Sequence, residues 1–177
     1  MSYANRRMKW LVIAGLVTVV LLAASVARAV SGPLHLGPFA NSYSFIGFEC
    51  DGFDVLIEGA GTDSFTVFLD EAGEVTKVIY RARYPHDTLT NTVSGKSIVV
   101  RGEFQEVVER TSSTDEFTKT ITGFRYMVNE PGVGVTIRDV GRITYGDLEQ
   151  TIVVWQAGEH DLALDAAFEP TFCAALA

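Results

Sequence analysis

Between Tyr43 and Gln156 hydrophobic and polar positions alternate along runs rich in Val, Ile, Thr, Phe and Tyr, with a turn signal about every ten residues. A two-residue period marks half-buried strands. It predicts nine of them, at 43–50, 53–59, 64–69, 74–84, 88–93, 97–110, 116–128, 135–145 and 151–156. The interruptions include Gly59-Ala60-Gly61, Asp70-Glu71-Ala72-Gly73, Ser94-Gly95-Lys96, Ser112-Ser113-Thr114-Asp115 and Glu130-Pro131-Gly132, all of turn composition. No helical period of useful length precedes the tail, where Pro170 can open one short turn carrying Cys173. Eight or nine consecutive strands make an all-β antiparallel meander, closing into a barrel or folded as a β-sandwich. The long central strands favour the barrel.

Three consecutive strands agree in phase. Ile98, Val100, Gly102, Phe104 and Val108 share one face of the first. Phe124, Tyr126 and Val128 share a face of the second, and Val135, Ile137, Gly141, Ile143 and Tyr145 a face of the third. Symmetric turns set Phe104 opposite Thr122 and Val128 opposite Val135, which merges the three apolar faces into one interior. Glu106 and Asp139 fall on that interior, beside Thr120 and Thr122. Inward carboxylates are costly unless paired or wetted. One reading is a ligand pocket whose acids orient a molecule or move a proton, with walls from Tyr80, Phe104, Thr122, Phe124, Tyr126 and Tyr145. Another puts a bulge at Gly102 or Gly141, which reverses the phase and turns the acids to water; a third places them at open barrel ends. The same register lines up Arg101, Arg125 and Arg138 on the outside. That row reads as an anion patch or, preferably, as a solvated face neutralised by Glu103 and other acids.

Ahead of the strands, Arg6, Arg7 and Lys9 precede an uncharged apolar run from Trp10 to Val26, followed by Ala27-Arg28-Ala29. This is the order of a secretory signal peptide cleaved after Ala29. The alternative is an uncleaved anchor over residues 10–26, because a run of this length reaches the lower limit of a membrane span. The expected organisation is a leader at 1–29, an N-terminal linker at 30–42 and a single domain at 43–177. The leader holds four of the 14 basic residues and none of the 22 acidic ones, leaving 10 against 22, a net −12. Such a balance argues against nucleic-acid and anionic-membrane partners and for a soluble extracellular monomer.

Export makes a disulfide the simplest use of the two cysteines, Cys50 and Cys173. Closing so long a loop is worth about 4–5 kcal/mol on the chain-entropy account. The histidines His86 and His160 each precede an aspartate, Asp87 and Asp161, which raises a weak zinc or acid–base possibility; a solvated His-Asp turn is the commoner outcome. No nucleophile elbow, zinc-protease, phosphate-loop or calcium-loop motif occurs, and the sequence calls for no cofactor.

The leader, the strand-rich body, "AGEHD" near the end and the closing "FCAALA" resemble small secreted β-rich proteins of actinobacteria, whose motifs carry no known mechanism. The resemblance covers most of the chain and implies an extracellular β-barrel-like domain. Lipocalin-type and allene-oxide-cyclase-like barrels share the size and strand count, but the Gly-x-Trp of the first lipocalin strand is absent, so only architecture is shared. The expected function is capture of a small apolar or amphipathic molecule in the barrel interior. One alternative is a cofactor-free isomerase or cyclase using Glu106 and Asp139. Another is an adhesion or inhibitor protein acting through loops 84–93 or 157–165.

Overall fold

The computed structural model describes residues 32–111, 116–130 and 132–177. The expected leader 1–29, its alternative as an anchor over 10–26, and the turn at Ser112–Asp115 lie outside the described residues. Seven antiparallel strands follow one another in one sheet: β1 (Leu34–Cys50), β2 (Phe53–Leu69), β3 (Val75–Asn91), β4 (Ser97–Arg110), β5 (Phe117–Glu130), β6 (Gly134–Tyr145) and β7 (Val153–His160). Each pairs with its neighbours in sequence. No pairing joins β7 to β1 among the described residues, so the sheet is an open meander and not a closed barrel. Nor is any helix of the described residues long and apolar enough to cross a membrane.

Nine expected strands become seven for a physical reason. Gly59-Ala60-Gly61 stays extended inside β2, because its glycines make room for side chains of other strands instead of turning the chain. Pro85 and His86 are absorbed in β3 as an irregularity between Tyr84 and Asp87. The segment expected as a linker to residue 42 is also strand, since β1 begins at Leu34 and pairs with Val67.

A row of glycines crosses the last three strands. Gly123 lies opposite Gly141, and Gly141 opposite Gly158, all at positive φ. A Cβ on Gly141 would stand 2.2 Å from the carbonyl oxygen of Ala157, so only glycine lets these backbones approach so closely.

The core lies on the inner face of the sheet, in two clusters. One joins Phe48, Val55, Leu89, Ile98, Val100, Val128 and Ile137 from the strands to Leu162, Phe172 and Leu176 from the tail. The other centres on Ile121, Ile143 and Tyr145, with Phe104 and Ala163 against them. After β7 the chain crosses this face, makes a 3₁₀ turn at Asp165–Ala167 and ends in helix α1 (Phe168–Leu176), longer than the single turn expected. The Phe168 ring meets Phe48, Tyr126 and Phe172 at 5.7, 5.3 and 4.8 Å.

Nothing intrinsic holds so short a helix. Its N-cap, Ala167, makes no side-chain cap, and nine residues are too few to persist alone in water. Packing, the Cys50–Cys173 disulfide and the Asn91 amide, which donates to the Leu176 carbonyl at 3.1 Å, fix it in place. Lys96 donates to the Ala177 carbonyl at 3.0 Å. Reducing the disulfide, or replacing Cys173 with Ser, is therefore expected to lower the free energy of urea unfolding by about 2–5 kcal/mol. An unchanged midpoint at equal slope contradicts this account.

Candidate functional site

The alternation of β3 builds one wall of the inner face. In Tyr80-Arg81-Ala82-Arg83-Tyr84 the tyrosines and Ala82 turn inward while the arginines turn out. Register brings Phe65 opposite Tyr80 and Asp63 opposite Ala82, and on β1 it places Tyr43 opposite Gly59. A Cβ on Gly61 would lie 2.4 Å from the Tyr84 ring, and one on Gly59 would lie 2.1 Å from Asp87 Oδ1. Glycine at both positions is what admits Tyr84 and Asp87 to this face.

Two carboxylates are held there by neutral donors. Asp63 Oδ1 accepts from the Tyr80 hydroxyl at 2.7 Å and the Tyr84 hydroxyl at 2.6 Å, and Oδ2 accepts from the Asn41 amide at 2.5 Å. The two phenol oxygens are themselves 2.7 Å apart, so two protons serve three short contacts. Asp87 Oδ2 accepts from the Tyr43 hydroxyl at 2.7 Å, while its buried Oδ1 has no hydrogen-bond partner. Among the described residues no Lys, Arg or His pairs with either carboxylate. Phe65 stacks on Tyr80 at 4.9 Å, Tyr43 meets Tyr84 and Phe45 at 6.3 and 5.9 Å, and Phe39 and Phe45 remain exposed. Burial, reinforced by the neighbouring carboxylates, pushes the Tyr43, Tyr80 and Tyr84 hydroxyls well above the usual phenol range. Burial likewise raises the Asp87 carboxyl, against the Tyr43 hydrogen bond.

A second polar group sits deeper. The β5–β6 register skips Arg125, with Phe124 opposite Val140 and Tyr126 opposite Asp139, and the bulge turns both Arg125 and Tyr126 inward. Glycine at 102 accommodates it, because a Cβ there would stand 2.8 Å from the Arg125 carbonyl oxygen. The guanidinium lies 5.1 Å from the centre of the Tyr126 ring and stands 4.0 Å from Asp139 Oδ2. Burial opposes the Arg125 charge, but Tyr126, Tyr145, Asp139 and Glu106 outweigh it and raise the guanidinium pKa. Asp139, 2% exposed, places Oδ1 2.6 Å from His160 Nδ1. His160 Nε2 faces the Ala157 carbonyl at 3.2 Å, which leaves neither ring nitrogen free. Glu106 pairs with Lys119 at 3.7 Å.

The structure separates the residues singled out from sequence. Tyr80, Phe104, Glu106, Tyr126, Asp139 and Tyr145 lie on the inner face. Thr122 and Phe124 turn outward, a correction that follows from register: Phe104 pairs with Gly123, not Thr122, and Val128 with Ile137, not Val135. The bulge at Arg125 then reverses the phase beyond Phe124. For the same reason the expected arginine row is broken, since Met127 stands between Arg101 and Arg138. Arg138 pairs instead with Glu159, and Glu103 with Arg83 at 3.6 Å. Glu106 and Asp139 do not form a carboxylate pair; they sit on β4 and β6 with different cations. His86 is exposed on β3 while His160 is buried at the end of β7, and no group of three or more His, Cys, Asp or Glu is placed to hold a metal among the described residues.

Sequence reasoning passed over Tyr43, Asp63 and Tyr84, and it singled out Asp87 only beside His86 and Arg125 only in an outward row. The one available signal was the glycine pair at 59 and 61, whose turn-like composition hid its use as open space. Comparison with family models, curated proteins and solved structures finds no match for the chain.

The tyrosines make this geometry measurable. Burial also raises Tyr145, to about 12, with the Arg125 charge opposing the rise and Asp139 adding to it. A phenol pKa raised on folding contributes stability that is complete below the unfolded value of about 10 and is lost as pH climbs through the folded one. Phenolate absorbance is expected to rise cooperatively above pH of about 10, together with loss of near-ultraviolet circular dichroism. A gradual phenolate rise with the dichroism intact contradicts the buried network.

Proposed function

We propose that this chain is an extracellular binding protein that captures a small amphipathic molecule bearing an amine, on the wall formed by β1, β2 and β3. The observation that carries this reading is the pair Asp63 and Asp87, surrounded by aromatic rings and free of cationic partners on a half-exposed face. A carboxylate satisfied only by phenols and an amide keeps its negative potential, and aromatic faces add to it. A cation seated over such rings gains about 0.5–2 kcal/mol from each good contact. Phe39, Phe45 and Phe65 offer surface for the apolar body. In this reading the sheet is an incomplete barrel, and the gap between β1 and β7 is its mouth. Export is supported by the disulfide, which persists in oxidising surroundings.

An isomerase or cyclase working through Glu106 and Asp139 draws less from the geometry. Each of those acids is already bound to a cation, and His160 has no free nitrogen to act as a base.

The test is calorimetric titration with phenethylamine and with hydrocinnamate, which have similar bodies and opposite charges. Phenethylamine is expected to bind saturably and hydrocinnamate not to bind. The Asp63→Asn, Asp87→Asn double variant, with wild-type circular dichroism, is expected to weaken the amine by about tenfold or more, about 1.4 kcal/mol. Equal binding of both compounds, binding of neither, or an unaffected double variant overturns the reading.

A further inference from the structure

The outer face of the same strands carries the opposite charge. Between the outward rows Thr62, Arg83, Glu103 and Ser64, Arg81, Gln105, Thr122 runs a groove of about 340 Å³, floored by the backbone where Asp63, Ala82 and Phe104 turn inward. A second groove, of about 230 Å³, shares Arg83 and Glu103 with it and continues past Arg101 to Phe124. The pair falls in the size range of small-ligand sites, about 300–1,000 Å³.

Its electrostatics are the reverse of the chain's. Arg81, Arg83 and Arg101 face one outward acid, Glu103, which Arg83 already engages at 3.6 Å. Arg81 and Arg101 make no ion pair among the described residues. Asp63 lends backbone to the floor but directs its carboxylate to Tyr80, Tyr84 and Asn41 on the other face. The groove is therefore cationic on a chain of net charge −8. Such surroundings repel a densely charged polyanion and leave a sparsely charged one to be selected locally.

We infer that this groove binds an acidic saccharide, its carboxylates on the guanidinium forks of Arg81 and Arg101. Thr62, Ser64, Gln105 and Thr122 supply the hydroxyls and amide that match sugar hydroxyls, and the outward Phe124 gives an apolar face for a ring. Arg81 lies opposite Gln105, four residues along β4 from Arg101, so the two forks stand roughly 13 Å apart along the strands. An oligomer spans that distance; a single ring does not. This inference is independent of the amine site, which uses the inner face.

The experiment titrates the whole protein at low salt with a hexamer of galacturonic acid and, in parallel, with maltohexaose, a neutral hexamer. The acidic hexamer is expected to bind and the neutral one not to. Arg81→Ala and Arg101→Ala are each expected to weaken binding by about tenfold or more, the loss of a charge-assisted hydrogen-bond pair. Arg110→Ala removes the same charge from the far end of β4, beside Phe117 and outside both grooves, and is expected to change binding by less than about twofold. Arg101→Lys keeps the charge but not the fork, and falls between. Absence of acidic-hexamer binding, equal binding of maltohexaose, or equal losses from Arg110→Ala and Arg81→Ala overturns the inference.

Discussion

An open antiparallel sheet with one apolar face has to cover that face, and in this molecule the cover is its own C-terminal segment. Leu162, Phe172 and Leu176 come from the tail, yet they are among the most deeply buried side chains of the protein. The helix that carries two of them is too short and too poorly capped to form by propensity, so tertiary packing and the covalent link to Cys50 create it. The covered part of the inner face becomes core. The part over β1 to β3 keeps exposed phenylalanines and half-buried tyrosines, and it is there that Asp63 and Asp87 lie without a cationic partner among the described residues.

The second constraint is the phase of each strand. Alternation sends neighbouring residues to opposite faces, so β3 alone supplies tyrosines to an acidic inner wall and arginines to a cationic outer groove. Bulges change that assignment locally. At Arg125 one extra residue puts a guanidinium inside, where Asp139 and the Tyr126 ring hold it, and a glycine on β4 gives it room. The buried charges Arg125 and Asp139 are thus a consequence of backbone irregularity as much as of residue type.

Glycine performs two tasks that sequence composition does not distinguish. At 123, 141 and 158 it allows backbones to approach closely, with φ values that side-chain-bearing residues avoid. At 59 and 61 it leaves space into which Asp87 and Tyr84 project. The first shapes the sheet and the second shapes the candidate site.

The sequence by itself determined the antiparallel meander, because a two-residue period and turn residues act locally and are written in adjacent positions. It also determined the pairing of Cys50 with Cys173, since only two cysteines exist. The inward phase of Glu106 and Asp139 followed from alternation within strands that happen to be regular near them. Only the tertiary structure decided that Gly59-Ala60-Gly61 continues a strand, that Thr122 and Phe124 face outward, and that Asp63 and Asp87 gather three tyrosines. Each of those outcomes depends on register between strands. A bulge of one residue shifts that register, and whether a bulge is tolerated is settled by the side chain or glycine on the neighbouring strand, far away in sequence.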